Sequence, residues 1–225
     1  GDTLAFTVTN APANGMATVD AMGQVTYTPN ADFNGSDAFT VVANDGTADS
    51  NEATVSVTVN AVNDPPLLDV LTNVTVDEDA AEQTVNLAGI GAGGGESQPL
   101  RVTASSSDTG LIPDPTVTYT SANSTGSLAF TPVADQHGTA TITVTVEDGG
   151  LENNLDTASD NATFSRTFDV TVNAINDTPT LDALSNLTID EDAAQQTVNL
   201  AGITAGSGES QPLRVTSTSN NTGLV

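Results

Sequence analysis

The chain has 225 residues with 29 acidic side chains against 3 basic ones, all three of them Arg, for a formal net charge of −26. So negative a chain lacks the cations that displace counterions from phosphates, which excludes nucleic acid as a partner and argues against anionic membrane surfaces. It favours cations, solubility and mutual repulsion between neighbouring modules. Apolar residues make up 37%, mostly Val, Leu, Ile and Ala, with no Trp and only eight aromatics in all. That suffices for several thin cores and not for one large one. No apolar run reaches the roughly 18 residues of a membrane-spanning helix, so no membrane insertion is expected. With no cysteine to supply cross-links, bound metal is the expected source of rigidity. No leader is visible and Gly1 is not a natural start, so the expectation is a segment of something longer.

In chain order, Glu52 to Val59 shows the alternation of polar and apolar residues that a half-buried strand requires. A linker follows, Asn63-Asp64-Pro65-Pro66. The next stretch has strand candidates at Gln83–Leu87, Thr139–Val146 and Thr163–Val172, all rich in β-branched residues. Turn clusters such as Asn-Asp-Gly and Glu-Asp-Gly-Gly separate them, and no sustained 3.6-residue period occurs. A second linker, Asn176-Asp177-Thr178-Pro179, opens the last stretch.

An internal repeat organises these elements. Residues 63–112 and 176–225 align without a gap at an offset of 113, with 36 of 50 positions identical. A weaker match joins Gly23–Gly46 to Gly126–Gly149. The chain therefore divides into the later part of one unit (1–65), a complete unit (66–179) and the early part of a third (180–225). About seven short strands in a unit of this length indicate a two-sheet antiparallel sandwich of immunoglobulin-like architecture. The fold class is all-β, with tandem sandwiches in a linear array.

Several signals carry no chemistry. Gly89-Ile-Gly91-Ala-Gly93-Gly94 fits a dinucleotide fingerprint, but Gln-Pro-Leu-Arg-Val-Thr after it is a strand and not a helix. Asp148–Asp156 lacks the spacing of an EF-hand loop. Arg101 and Arg214 are expected to pair with Glu96 and Glu209. His137 has no repeated counterpart and no nucleophile to serve, and Asp135, in Ala-Asp-Gln-His, reads first as an ordinary turn residue, with reach into the acidic cluster as the alternative. Asn-x-Ser/Thr triplets at Asn73 and Asn161 are expected by chance.

Three acidic features do recur: the linkers Asn63-Asp64 and Asn176-Asp177, the triplets Asp77-Glu78-Asp79 and Asp190-Glu191-Asp192, and Asp45 and Asp148 after a long late strand. On these residues the chain resembles the bacterial cadherin-like repeats of giant secreted adhesins. Val76-Asp77-Glu78-Asp79 stands where cadherins carry Val-Pro-Glu-Asn, Ala43-Asn44-Asp45 matches Ala-x-Asp, and Asn63-Asp64 matches the end of the linker motif. The resemblance implies metal ligands at Asn63, Asp64, Glu78, Asp79, Asp148, Asn176, Asp177, Glu191, Asp192 and Asp45. The sequence departs from the family where the first linker Asp is Ala61 or Ala174, and where the Asp-x-Asp loop is replaced by Gly91–Glu96. Fewer ions per junction are therefore expected. Oxygen donors suit Ca²⁺, which takes six to eight of them, while softer metals would want Cys or His.

The resulting expectation is a non-enzymatic structural or adhesive segment of a secreted or cell-surface bacterial protein. It would form a calcium-stabilised rod or fibre whose partners are neighbouring repeats, identical subunits in a fibre, polysaccharide or another cell surface. Alternatives are a carbohydrate-binding module, which the scarcity of aromatics disfavours, and a filament subunit whose terminal half-units complete each other. Glycoside hydrolysis by paired carboxylates has no dedicated cleft to support it.

Overall fold

The computed structural model describes residues 4–157 and 159–221. The first unit contributes five strands, β1 (Ala5–Asn10), β2 (Gly15–Val19), β3 (Val25–Pro29), β4 (Gly35–Asn44) and β5 (Ala53–Val59). The second contributes seven: β6 (Val74–Asp77), β7 (Gln83–Ala88), β8 (Leu100–Ser106), β9 (Thr116–Thr118), β10 (Thr125–Phe130), β11 (Gly138–Asp148) and β12 (Thr163–Asn173). The strands at 53–59, 83–88, 138–148 and 163–173 coincide with the alternating stretches, because one face of each is buried and the other is wet.

The second unit is a complete sandwich. One sheet has the order β6-β12-β11-β8 and the other β7-β10-β9. Between them lie Leu87, Leu128, Phe130, Ile142, Val144, Val146, Phe168 and Val170, all nearly or fully buried. Each such side chain contributes roughly 1.5–3 kcal/mol relative to exposure. The alternation on β11 is strict: Ala140, Ile142, Val144 and Val146 face the core while Thr141, Thr143 and Thr145 face out.

One pairing departs from the antiparallel expectation. β6 runs parallel to β12, with Val74 opposite Val170 and Asp77 opposite Asn173. The first and last strands of the unit therefore point the same way, so the chain enters at one pole and leaves at the other. A linear array needs that polarity, and it brings the end of β6 to the linker that follows β12.

The first unit has the equivalent sheets without their first strands: β1-β4-β5 and β2-β3. Its core is thin. Phe39 is buried and stacks on Tyr27 with ring centroids 6.2 Å apart. Asp37, where the second unit has Ala140, accepts hydrogen bonds from the N–H groups of Ala13 (3.0 Å), Asn14 (2.9 Å) and Ala38 (2.9 Å) and from the Tyr27 hydroxyl (3.0 Å). Burial works against its charge, but the Asn14, Ala13 and Ala38 amides and Tyr27 outweigh it and hold the carboxyl below its ordinary range.

Residues 174–221 contain no strand of two or more paired residues, only the isolated bridge Thr180–Thr204. That bridge is the copy of Leu67–Gly91 at the repeat offset of 113.

Candidate metal centres at the unit junctions

The second junction is built where β6 and β12 end together. Glu78 donates its backbone N–H to Asn173 O at 2.9 Å, and its Oε1 accepts the Ile175 N–H at 2.6 Å. The side chain is thereby pinned against the linker and only 7% exposed. Asp79 and Asp135 both sit in the left-handed region, at φ 63° and 59°, on tight turns that Asp tolerates better than most residues. Asp79 Oδ1 accepts the Asp135 N–H at 3.2 Å. One carboxylate oxygen each from Asp79, Asp135 and Asp177 lie within 4.8 Å of one another, an acidic group that could hold a metal.

The third unit closes the junction from the other side. Asp177 N–H donates to Glu209 Oε1 at 3.0 Å, Gln211 donates to Asn176 Oδ1 at 2.7 Å and to Glu209, and the Ser207 hydroxyl donates to Asp135. Asp177 Oδ2 is shut away from solvent with no hydrogen-bond partner. Burial first, then the charges of Asp135, Asp79, Glu209 and Glu78, push the Asp177 carboxyl above its ordinary range. A divalent cation would relieve both effects. His137 Nδ1 lies 3.7 Å from Glu78 Oε2 at the mouth of the same cleft.

The first junction gathers the opposite pole of the second unit. Asp148, completely buried, accepts at Oδ1 from Asn63 Nδ2 (3.1 Å), Gly150 N–H (3.0 Å) and Ala162 N–H (2.9 Å). Asn63 Nδ2 also reaches Asp160 O at 3.1 Å, and Gln98 Nε2 joins Asn63 Oδ1 (2.5 Å) to Glu96 Oε2 (2.9 Å). Asp64 N–H donates to Glu96 Oε2 at 3.3 Å, the counterpart of Asp177 and Glu209. Four oxygens in this network are buried and have no hydrogen-bond partner: Gln98 Oε1, Asp148 Oδ2, Asp160 Oδ1 and Asn161 Oδ1. Buried acceptors are normally satisfied, and an all-oxygen set left without donors fits a hard cation.

The sequence-derived ligands thus fall into groups. Glu78, Asp79, Asn176 and Asp177 meet at the second junction, and Asn63, Asp64 and Asp148 at the first. Asp45 is exposed and caps its own turn, accepting the Thr47 and Ala48 N–H groups at 2.8 and 2.9 Å. Glu191 and Asp192 are exposed, and among the described residues no hydrogen bond or ion pair engages their side chains.

Other contributors differ from their reading in the sequence. Asp135, for which the turn is the first reading and the cluster the alternative, is one of the three clustered carboxylates. Glu96 pairs not with Arg101 but with the linker amide and Gln98. Arg101 instead meets Glu147 at 2.6 Å, its direct neighbour across the β8–β11 ladder. Glu209 likewise engages Asp177 and Gln211. The available signal was Glu-Ser-Gln-Pro, repeated unchanged at 96–99 and 209–212. The Gly-rich loop before it has a packing reason: a Cβ on Gly94 would lie 2.0 Å from Asp64 Oδ2, and one on Gly206 2.5 Å from Asp177 Cβ.

Among the described residues no helix is long and apolar enough to cross a membrane. No curated protein matches the chain by sequence. Among solved structures it is similar to human CDH23 EC21-23, at 17% identity over 94% of this chain and 75% of that one, with a TM-score of 0.48. It is similar to domains 4 and 5 of the S-layer protein SbsC at 19% identity, covering 76% and 70%, with a TM-score of 0.34. It is also similar to the endo-fucoidan hydrolase MfFcnA4 from glycoside hydrolase family 107 at 20% identity and a TM-score of 0.34, over 78% of this chain and 24% of that one. The chain therefore spans about a quarter of the length of the hydrolase chains it matches. The chain is all-β, with its complete unit folded as a two-sheet sandwich, and its residues 1–58 match the model of the bacterial Ig domain family.

Proposed function

We propose that this chain is a non-enzymatic structural segment of an extracellular bacterial protein, whose junctions are set by bound calcium. The observation that carries the reading is the Asp79–Asp135–Asp177 group, with a desolvated, unpartnered oxygen on Asp177 and negative neighbours from three chain segments. The orphaned oxygens around Asp148 support a second position of the same chemistry. Glu78, Asp79, Asp135 and Asp177 would hold the ion at one junction, and Asp148, Asp160, Asn161 and Gln98 at the other. Its chemistry is charge neutralisation: without it the carboxylates repel and the linker swings, and with it adjacent units hold one angle. An array so stiffened suits adhesion or matrix assembly, the partners being its own neighbouring repeats and the surface or polysaccharide that the parent protein reaches.

At millimolar calcium and site constants of about 10⁻⁴ to 10⁻³ M, each site stabilises the ordered junction by about 1 kcal/mol. Thermal melts and small-angle scattering, each with calcium and with chelator, test this. The expected result is a higher transition and a longer, narrower particle in calcium. Identical melts and identical scattering in the two conditions would reject it.

A further inference from the structure

The four orphaned oxygens at the first junction share one arrangement. Each belongs to a side chain that commits one polar atom to its neighbours and leaves one oxygen free. Asp148 Oδ1 is engaged by Asn63, Gly150 and Ala162, while Oδ2 has no partner. Asp160 Oδ2 accepts the Leu151 N–H at 2.8 Å and Oδ1 is left over. Asn161 Nδ2 reaches Glu147 Oε1 at 3.4 Å, and Gln98 Nε2 is shared between Asn63 and Glu96, so each amide also leaves its oxygen free. Asp148 is fully buried and Gln98 is 5% exposed, so bulk water does not serve these atoms. Asn63 Nδ2 lies 3.1 Å from both Asp148 Oδ1 and Asp160 O, which gathers the donors around one linker side chain.

The loop between β11 and β12 covers them. From the matching Asp45 and Asp148 to the next strand there are seven residues in the first unit (46–52) and fourteen in the second (149–162). The longer loop folds down on the donors. Gly150 N–H donates to Asp148, Leu151 N–H to Asp160, and Asn154 N–H closes back on Gly149 O at 2.8 Å. The approach is too close for a side chain. A Cβ on Gly150, at φ 59°, would lie 2.1 Å from the orphaned Asp160 Oδ1, and one on Gly149 2.8 Å from Pro99 Cγ. The second junction is built differently. Asp79 there is exposed, Asp135 and Asp177 are half-buried, and a cleft opens among Glu78, His137 and Glu209.

We propose that residues 149–157 cover the first-junction cation, making that site slow to exchange and selective for Ca²⁺ over Mg²⁺, while the second junction exchanges freely and takes either ion. The proposal rests on the calcium reading of both junctions. Two carboxylates and two amide oxygens carry a charge that one divalent ion cancels. Mg²⁺ gives up its hydration reluctantly and keeps several waters in protein sites, whereas Ca²⁺ accepts a larger and less regular set of protein oxygens. Donors shut away from solvent leave no place for retained waters, so the covered site penalises Mg²⁺. Release requires the cover to lift, a local opening that breaks the Gly150 and Leu151 hydrogen bonds together with the ion's own contacts. The more exposed carboxylates of the second junction impose neither condition.

The test uses the full 225-residue chain loaded with calcium. Release into an excess of fluorescent chelator is followed by stopped flow, with and without Mg²⁺ in the loading buffer. The expected result is two phases separated by about tenfold or more in rate, of which Mg²⁺ removes only the fast one. Asp160→Asn should abolish the slow phase and Asp79→Asn the fast one. Deleting residues 150–156 should turn the slow phase fast while calcium still binds. Amide exchange at Leu151, read on the unaltered chain, should slow by about tenfold or more in calcium relative to chelator. A single release phase, equal loss of both phases to Mg²⁺, a slow phase that survives the deletion, or Leu151 exchange equal in calcium and chelator overturns the proposal and leaves the calcium reading standing. No calcium uptake at all rejects both.

Discussion

The second unit and the third begin with nearly the same 50 residues and end in different states. Leu87 is 1% exposed and Leu200 41%; Ile90 is 4% exposed and Ile203 39%; Leu100 is 5% exposed and Leu213 43%. Local geometry, by contrast, is shared. Gly89 and Gly202 both have φ 65°, held under Asp69 and Asp182, and Asp79 and Asp192 both have φ 63°. These turns are decided by residues inside the repeated stretch itself, which both copies contain. Strands are decided by partners far along the chain: β6, β7 and β8 depend on β12, β10 and β11, and no described residue plays those parts for 187–219. Closely similar sequence therefore yields matching turns, while the strands form only where their partners are present.

The strongest way to break that comparison is to supply the partners. Appending a copy of residues 113–179 after Val225 should convert the third unit into a sandwich. Amide exchange at residues 196–201 should slow by about two orders of magnitude or more. No change there would mean that the third copy is unfit for the fold despite its sequence.

Paired truncations sharpen it next. Leu87→Ala should cost the second unit about 2–5 kcal/mol, because a buried side chain is lost and a cavity left. Leu200→Ala, at the matching position of the third, should stay within about 0.5 kcal/mol in monomeric protein. Denaturant melts of the two variants decide the matter, and equal effects would show that the third unit buries its leucines in solution.

The junction separates the copies by pH. The Asp177 carboxyl is raised in the folded state, so its favourable contribution is complete below the unfolded value of 3.8 and is lost as pH rises through the folded one. In chelator the ordered junction should hence weaken as pH climbs through that window. Asp177→Asn should remove this slope and abolish most of the calcium response. In the first unit the sign is opposite. Asp37 is lowered, so its contribution is present above 3.8 and lost as pH falls through the folded value. Asp37→Asn should flatten the acid limb of that unit's stability, read by tyrosine fluorescence of Tyr27.

The smallest effect belongs to the exposed Arg101–Glu147 pair. Arg101→Ala should cost about 0.2–1 kcal/mol and less at high salt, as surface ion pairs do. A cost several times larger would indicate that Arg101 also holds the 149–162 loop through its contact with Leu155 O, 3.3 Å away.

The sequence by itself determined the 113-residue period, the all-β class, the strands with strict alternation and the turns, because each depends on residues adjacent in the chain. It placed Glu78, Asp79 and Asp177 among the oxygen donors through short motifs. It could not reveal that β6 lies parallel to β12, that Arg101 faces Glu147 across a ladder, or that Glu96 and Asp160 converge on the first linker, and it left Asp135 between a turn and the cluster. Those are contacts between residues tens of positions apart, and only the register of the sheets decides them. The same reason explains why Asp45 and Asp148, in matching motifs, part company. Asp148 meets Asn63 and is enclosed, while Asp45 has no linker among the described residues to meet and turns its carboxylate back on its own loop.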